Sequence, residues 1–169
     1  MKKIILTLAI AVLPFLVSAQ ESIFDKFEDN NEVTTVIVNK SAFELMVKFG
    51  KNDPQTKEFA EIAKNLYQLK IFTTENNDIA KEMGIQVKAY LKSSKLDELM
   101  SVKDKEANVK IYIKEGSDAN HVSELLMFVD SAGIQSQAVI ISLTGDIDIN
   151  KMSDLFKELN MEGAEHFKK

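Results

Sequence analysis

Apolar residues along this chain recur first at helical intervals and later at every second position. Ile23, Phe24 and Phe27 make one amphipathic helical turn. Val33 to Val38 (VTTVIV) is dense in β-branched residues, which fit a pleated surface, and predicts the first strand. Ser41 and Glu44 stand at capping-box spacing, and Phe43, Met46 and Val47 follow on one helical face. Gly50 closes that helix. Asp53-Pro54 starts another, because proline at the first helical position loses no hydrogen bond. Phe59, Ile62, Ala63 and Leu66 form its apolar stripe. Tyr67 to Thr74 alternates and predicts a strand. Asn77 or Asp78 then caps a helix running to about Ser93, with Ile79, Met83, Val87, Tyr90 and Leu91 turned inward.

From Leu96 the period is two. Leu96 to Val102 predicts a short strand. Ala107, Val109, Ile111 and Ile113 alternate with Asn108, Lys110, Tyr112 and Lys114, the pattern of a strand with one wet face. Val122 to Asp130 and Gln137 to Thr144 predict two more strands around the turn Ser131-Ala132-Gly133. A last helix follows Asp148 or Asn150, with Met152, Leu155, Phe156 and Leu159 as its face. Helices alternate with strands early, and strands follow one another late. This order predicts an α+β fold: one mostly antiparallel sheet of about six strands with helices packed on one face. The long connection after the first strand leaves room for a parallel pair and hence a mixed sheet.

The first residues change the picture. Lys2 and Lys3 precede an apolar run from Ile4 to Val17, and Val17-Ser18-Ala19 resembles a signal-peptidase site. The expected organisation is a signal peptide over 1–19 and a single domain over 20–169. Cleavage leaves 19 lysines against 26 acids, a formal charge of −7. Such a charge disfavours nucleic acid and anionic lipid. The exported domain is expected in the periplasm, at the cell surface or outside the cell, with no membrane span once the leader is removed.

Composition removes several chemistries. All 21 basic residues are lysine, and cysteine is absent. There are thus no disulfides, no thiolate nucleophile and no guanidinium forks for phosphate or carboxylate. The six glycines are scattered and make no phosphate-binding loop. Asp146, Asp148 and Asn150 match the first ligand positions of an EF-hand loop. Lys151 and Lys157 then stand where that loop needs glycine and a chelating glutamate, so the segment reads as a strand end leading into a helix cap. His121 and His166 have no partner at metal-binding spacing and read as surface residues. No serine lies in a nucleophile motif. Carboxylate pairs such as Asp97-Glu98 and Asp146/Asp148 are unremarkable in so acidic a chain. No catalytic residue, metal ligand or cofactor is therefore assigned.

Four segments carry a resemblance. They are V-S-A-Q at the end of the leader, V-T-T-V-I-V followed by S-A-F-E-L-M, V-K-I-Y-I-K, and Leu143-Thr144-Gly145-Asp146-Ile147-Asp148 before the last helix. In this order they resemble a family of small exported proteins of Bacteroidota, a domain of unknown function. The resemblance implies an exported α+β domain and brings no catalytic residues. The function expected from all this is a non-enzymatic envelope domain that binds another envelope protein. Tyr112, flanked by Lys110 and Lys114, is the expected contact surface. Two alternatives stand beside it: a carrier of a small apolar ligand held between sheet and helices, and a hydrolase assembled from dispersed serine, histidine and aspartate.

Overall fold

The structure, a computed structural model, describes residues 23–50, 57–103, 107–131 and 137–152. The expected leader, the Asp53-Pro54 helix start, His166 and the last helix beyond Met152 lie outside them. After a 3-10 turn (Asp25–Phe27) come β1 (Thr34–Asn39), α1 (Lys40–Gly50), α2 (Lys57–Ala63), β2 (Leu66–Thr74) and α3 (Asn77–Ser94). Then follow β3 (Asp97–Lys103), β4 (Ala107–Glu115), β5 (His121–Ser131), β6 (Ala138–Asp148) and a second 3-10 turn (Ile149–Lys151). The element types agree with the periodicity. β6 runs four residues further than Thr144, and Leu66 belongs to β2 rather than to the helix before it.

The six strands form one sheet in the order β1-β2-β6-β5-β4-β3, and every neighbouring pair is antiparallel. α3 carries the chain from β2 to the far edge, and β3 to β6 meander back until β6 lies against β2. The fold is α+β, as expected, but the helices occupy both faces of the sheet rather than one. On one face Phe43 of α1 and Ile62 and Ala63 of α2 pack with Leu69, Leu125, Ile141 and Leu143. On the other, Phe24, Phe27 and the α3 residues Ile79, Met83 and Val87 pack with Phe72, Leu126, Phe128 and Ile140. The physical cause is in β5, where Glu124 through Phe128 are all buried. Alternate side chains of such a run point to opposite faces, so each face needs its own cover.

The starts of α1 and α3 are set by asparagines. The Ala42 N–H donates to Asn39 Oδ1 at 3.0 Å, so Asn39 caps α1 in place of the expected Ser41. Asn76 Oδ1 accepts from the N–H groups of Asp78 and Ile79 at 2.9 and 3.3 Å, one residue ahead of the expected cap. Asn76→Ala is expected to destabilise the domain by about 1 kcal/mol. Urea unfolding measures this, and an unchanged midpoint would contradict the cap.

Candidate functional site

Strand register gathers polar side chains where the pattern of a sheet face calls for apolar ones. Gln68, Thr144, Glu124 and Lys114 stand opposite one another across β2, β6, β5 and β4. This row lies on the α3 side of the sheet, one step beyond the apolar patch of Leu126, Phe128 and Ile140. The C-terminal end of α3 passes above it. Between them opens a cleft of about 560 Å³, lined also by Lys70, Ser142, Tyr90 and Lys95.

Glu124 lies at the base of this cleft and is only 5% exposed. Tyr90 Oη donates to its carboxylate, 2.7 Å from Oε1 and 3.0 Å from Oε2. The Tyr90 ring rests against Phe24, with centroids 5.3 Å apart, which holds the hydroxyl in place. Burial raises the pKa of the Glu124 carboxyl, and the Tyr90 hydrogen bond and the Lys114 charge offset part of that rise. Tyr90 is pushed up to about 12 by burial and by the neighbouring carboxylate. Lys70, 7% exposed, is held by Asp25 and Glu28 at 2.5 and 2.6 Å. Burial pulls its ammonium down, and the two carboxylates more than reverse that, so its pKa stands above the usual lysine value.

A second cleft, about 850 Å³, runs between α3 and strands β4 and β5. Val87, Leu91, Tyr112 and Phe128 line it with apolar surface, Gly84 faces it, and Lys81, Lys88 and Lys110 also line it. The expected contact surface is therefore rearranged. Tyr112 is 8% exposed and belongs to the packed face under α3, because both sides of β4 are covered. Lys110 lines this groove and pairs with Glu98 of β3 at 3.3 Å, while Lys114 lines the other cleft.

The remaining candidates gather at one end of the sheet. His121 Nδ1 lies 2.9 Å from Asp118 Oδ1, so it has a partner that its sequence spacing did not reveal as functional. Ser117 Oγ donates to Asp146 Oδ1 at 3.2 Å, and the Asp146 and Asp148 charges also act on His121. Asp148 accepts from the Asn150 N–H and caps the second 3-10 turn, as the strand-end reading expected. Among the described residues no three His, Asp or Glu side chains are grouped to hold a metal ion. Asp97 and Glu98, adjacent in β3, point to opposite faces and do not act together. The hydrogen bond to Asp118 raises the His121 pKa above its ordinary value. The ion pair thus supports the fold below about pH 6.5, loses its effect as pH rises through the raised value, and loses it again in acid as pH falls through the lowered Asp118 pKa. Asp118→Asn is expected to return the His121 pKa toward about 6.5, read from its imidazole C–H resonance, with His166→Gln to assign the signal. An unaltered titration would contradict the pair.

A family model described as a domain of unknown function, DUF4252, matches residues 27–155. The chain belongs to the DUF4252 family. No curated protein and no solved structure matches it. The DUF4252 match begins at the last residue of the first 3-10 turn and covers every strand of the sheet. It takes in every residue lining the two clefts except Ile23. Among the described residues of this DUF4252 chain, no helix is long and apolar enough to cross a membrane.

Sequence reasoning missed the Glu124 cleft. Helical spacing puts Tyr90 on the inward side of α3, where the structure also has it, but Glu124, Ser142 and Gln68 read only as strand positions. The signal was present in the alternation. Gln68 and Lys70 in β2, Glu124 in β5, and Ser142 and Thr144 in β6 occupy positions that share a parity with buried apolar neighbours. Three strands of the DUF4252 domain thus turn polar at the same end of the same face, and only the register brings those ends together.

Proposed function

We propose that this DUF4252 chain is an exported, non-enzymatic domain of the cell envelope that binds a segment of another envelope protein in the groove between α3 and β4. The leader pattern supports export, and the groove supports binding. Its apolar lining suits one or two apolar side chains of a partner. Of the lysines on its walls, Lys81 pairs with Asp78 and Lys110 with Glu98 through exposed contacts that a partner's acid can replace. Lys88 adds a third positive charge beside Asp130, the single lining acid among the described residues.

The observation that carries the reading is Gly84. Glycine in a helix interior costs about 0.5–1 kcal/mol relative to alanine, and Gly84 lies near the middle of the 18-residue helix α3. The core does not require it. A Cβ at this position would meet the Phe128 ring at 3.6 Å, an ordinary contact. What the missing side chain leaves is depth in the groove.

Gly84→Ala is accordingly expected to stabilise the domain by about 0.5–1 kcal/mol in urea unfolding, while Gly84→Trp fills the groove. The functional test uses tagged full-length protein in the native envelope, with a photo-crosslinking side chain at Ile85, which lines the groove. One partner reproducibly joined at Ile85, and lost with Gly84→Trp or with Lys88→Glu plus Lys110→Glu, is the expected result. No adduct at Ile85, or an adduct indifferent to these changes, overturns the reading.

A further inference from the structure

The groove leaves the Glu124 cleft unexplained. Its base is a buried carboxylate that receives, among the described residues, a single hydroxyl donor. Lys114, opposite it on β4, offsets only part of the cost of burying this charge. Gln68, Ser142 and Thr144 leave further donors and acceptors around it. The wall of the same cleft carries Lys95 and Lys114. Lys95 is the residue after α3 and adopts the left-handed conformation, φ 49°. Where a helix ends in a left-handed residue, glycine usually takes that position, because most other residues are strained there. A lysine there, at a residue that lines the cleft, is the kind of local strain that collects at binding sites.

The charges select the ligand. Lys70 is engaged by Asp25 and Glu28, which leaves Glu124 at the base with Lys95 and Lys114 among the lining residues. A simple cation would be repelled by Lys95 and Lys114. A simple anion would meet Glu124. An uncharged polyol would leave the carboxylate uncompensated. A dipolar molecule satisfies all three groups. About 560 Å³ falls within the usual range of small-molecule sites and exceeds a single amino acid.

We propose that the cleft between the C-terminal end of α3 and strands β2, β6, β5 and β4 binds a small zwitterion, an α-amino acid or a dipeptide. Its ammonium donates to Glu124, and its carboxylate meets Lys95 and Lys114. Ser142 and Thr144 accept the remaining N–H groups of the ammonium, and the Tyr90 hydroxyl holds the Glu124 carboxylate in place. This site is independent of the α3/β4 groove.

Calorimetric titration of the full chain tests it. The probes are each common free amino acid and alanyl-alanine, followed by the N-acetyl and C-terminal amide forms of the tightest binder, with glucose as the polyol. At least one zwitterion is expected to bind saturably, and removing either of its charges is expected to weaken it about tenfold or more, the loss of one charge-assisted hydrogen bond. Glu124→Gln keeps the volume of the side chain and an oxygen for Tyr90, and is expected to abolish binding. Lys95→Gly relieves the left-handed residue, so the domain keeps its stability, and is expected to weaken the zwitterion but not its amide. Four results overturn the proposal: no saturable heat from any zwitterion, equal binding of the N-acetyl form, binding unaffected by Glu124→Gln, or displacement by glucose.

Discussion

Truncation of Phe72 to alanine is expected to destabilise the domain by about 3–5 kcal/mol. Phe72 has no exposed surface and extends from β2, next to the middle of the sheet. Its ring centroid lies 6.4 Å from that of Phe24 and 6.1 Å from that of Phe27. These tilted contacts add to the burial of three large rings. Alanine leaves a hole beneath the first 3-10 turn that neither Phe24 nor Phe27 can fill without leaving its own place. The loss does not stop at the core. The same turn brings Asp25, and the residue after it is Glu28, both of which hold Lys70 in the polar cleft. Urea unfolding of Phe72→Ala and Phe72→Leu gives the comparison. Leucine retains much of the volume and is expected to lose about 1 kcal/mol. Equal losses for the two variants would show that the cavity is not the cause.

Gly145→Ala is expected to lose about 3 kcal/mol, through crowding and a disturbed hydrogen bond. A Cβ on Gly145 would come within 2.6 Å of the Asn65 carbonyl oxygen and 2.9 Å of Leu66 Cα. Both are backbone atoms and cannot swing aside. The Asn65 carbonyl also accepts the Asp146 N–H at 2.9 Å, so moving it opens the junction between β2 and β6. That junction already holds an irregularity between Leu66 and Gln68, and the next pair along is Gln68 with Thr144, part of the polar row. The expected result is a lower unfolding midpoint with an unchanged dependence on urea. Stability within about 0.5 kcal/mol of the parent would mean that this approach is looser than the distances indicate.

Gly145 shows how much of the site was legible. Beside Asp146 and Asp148 it resembled the opening of a metal loop, and the lysines at 151 and 157 argued correctly for a strand end and a cap. What the glycine permits is a close approach by Asn65, eighty residues earlier in the chain, and nothing local to either segment announces it. Tyr112 shows the reverse error. Its alternation with Val109, Ile111 and Ile113 predicts a wet face, because a polar or amphipathic residue at every second position ordinarily means solvent. In the fold α3 lies over that face, and Tyr112 is buried among Leu126 and Phe128.

Local chemistry determined a great deal about this chain. β-branched runs and period-two alternation located the strands, helical spacing located α1 and α3, and the count of strands after Leu96 implied a sheet built largely from neighbours. These features depend on residues a few positions apart, whose propensities act before any tertiary contact forms. The tertiary structure decided the rest. It inserted β6 against β2, placed α3 on one face and α1 and α2 on the other, and aligned Gln68, Thr144, Glu124 and Lys114 into one row. Those outcomes depend on how the burial demands of distant segments are met together. A strand such as β5 states that both its sides need cover, but not which helix will supply it.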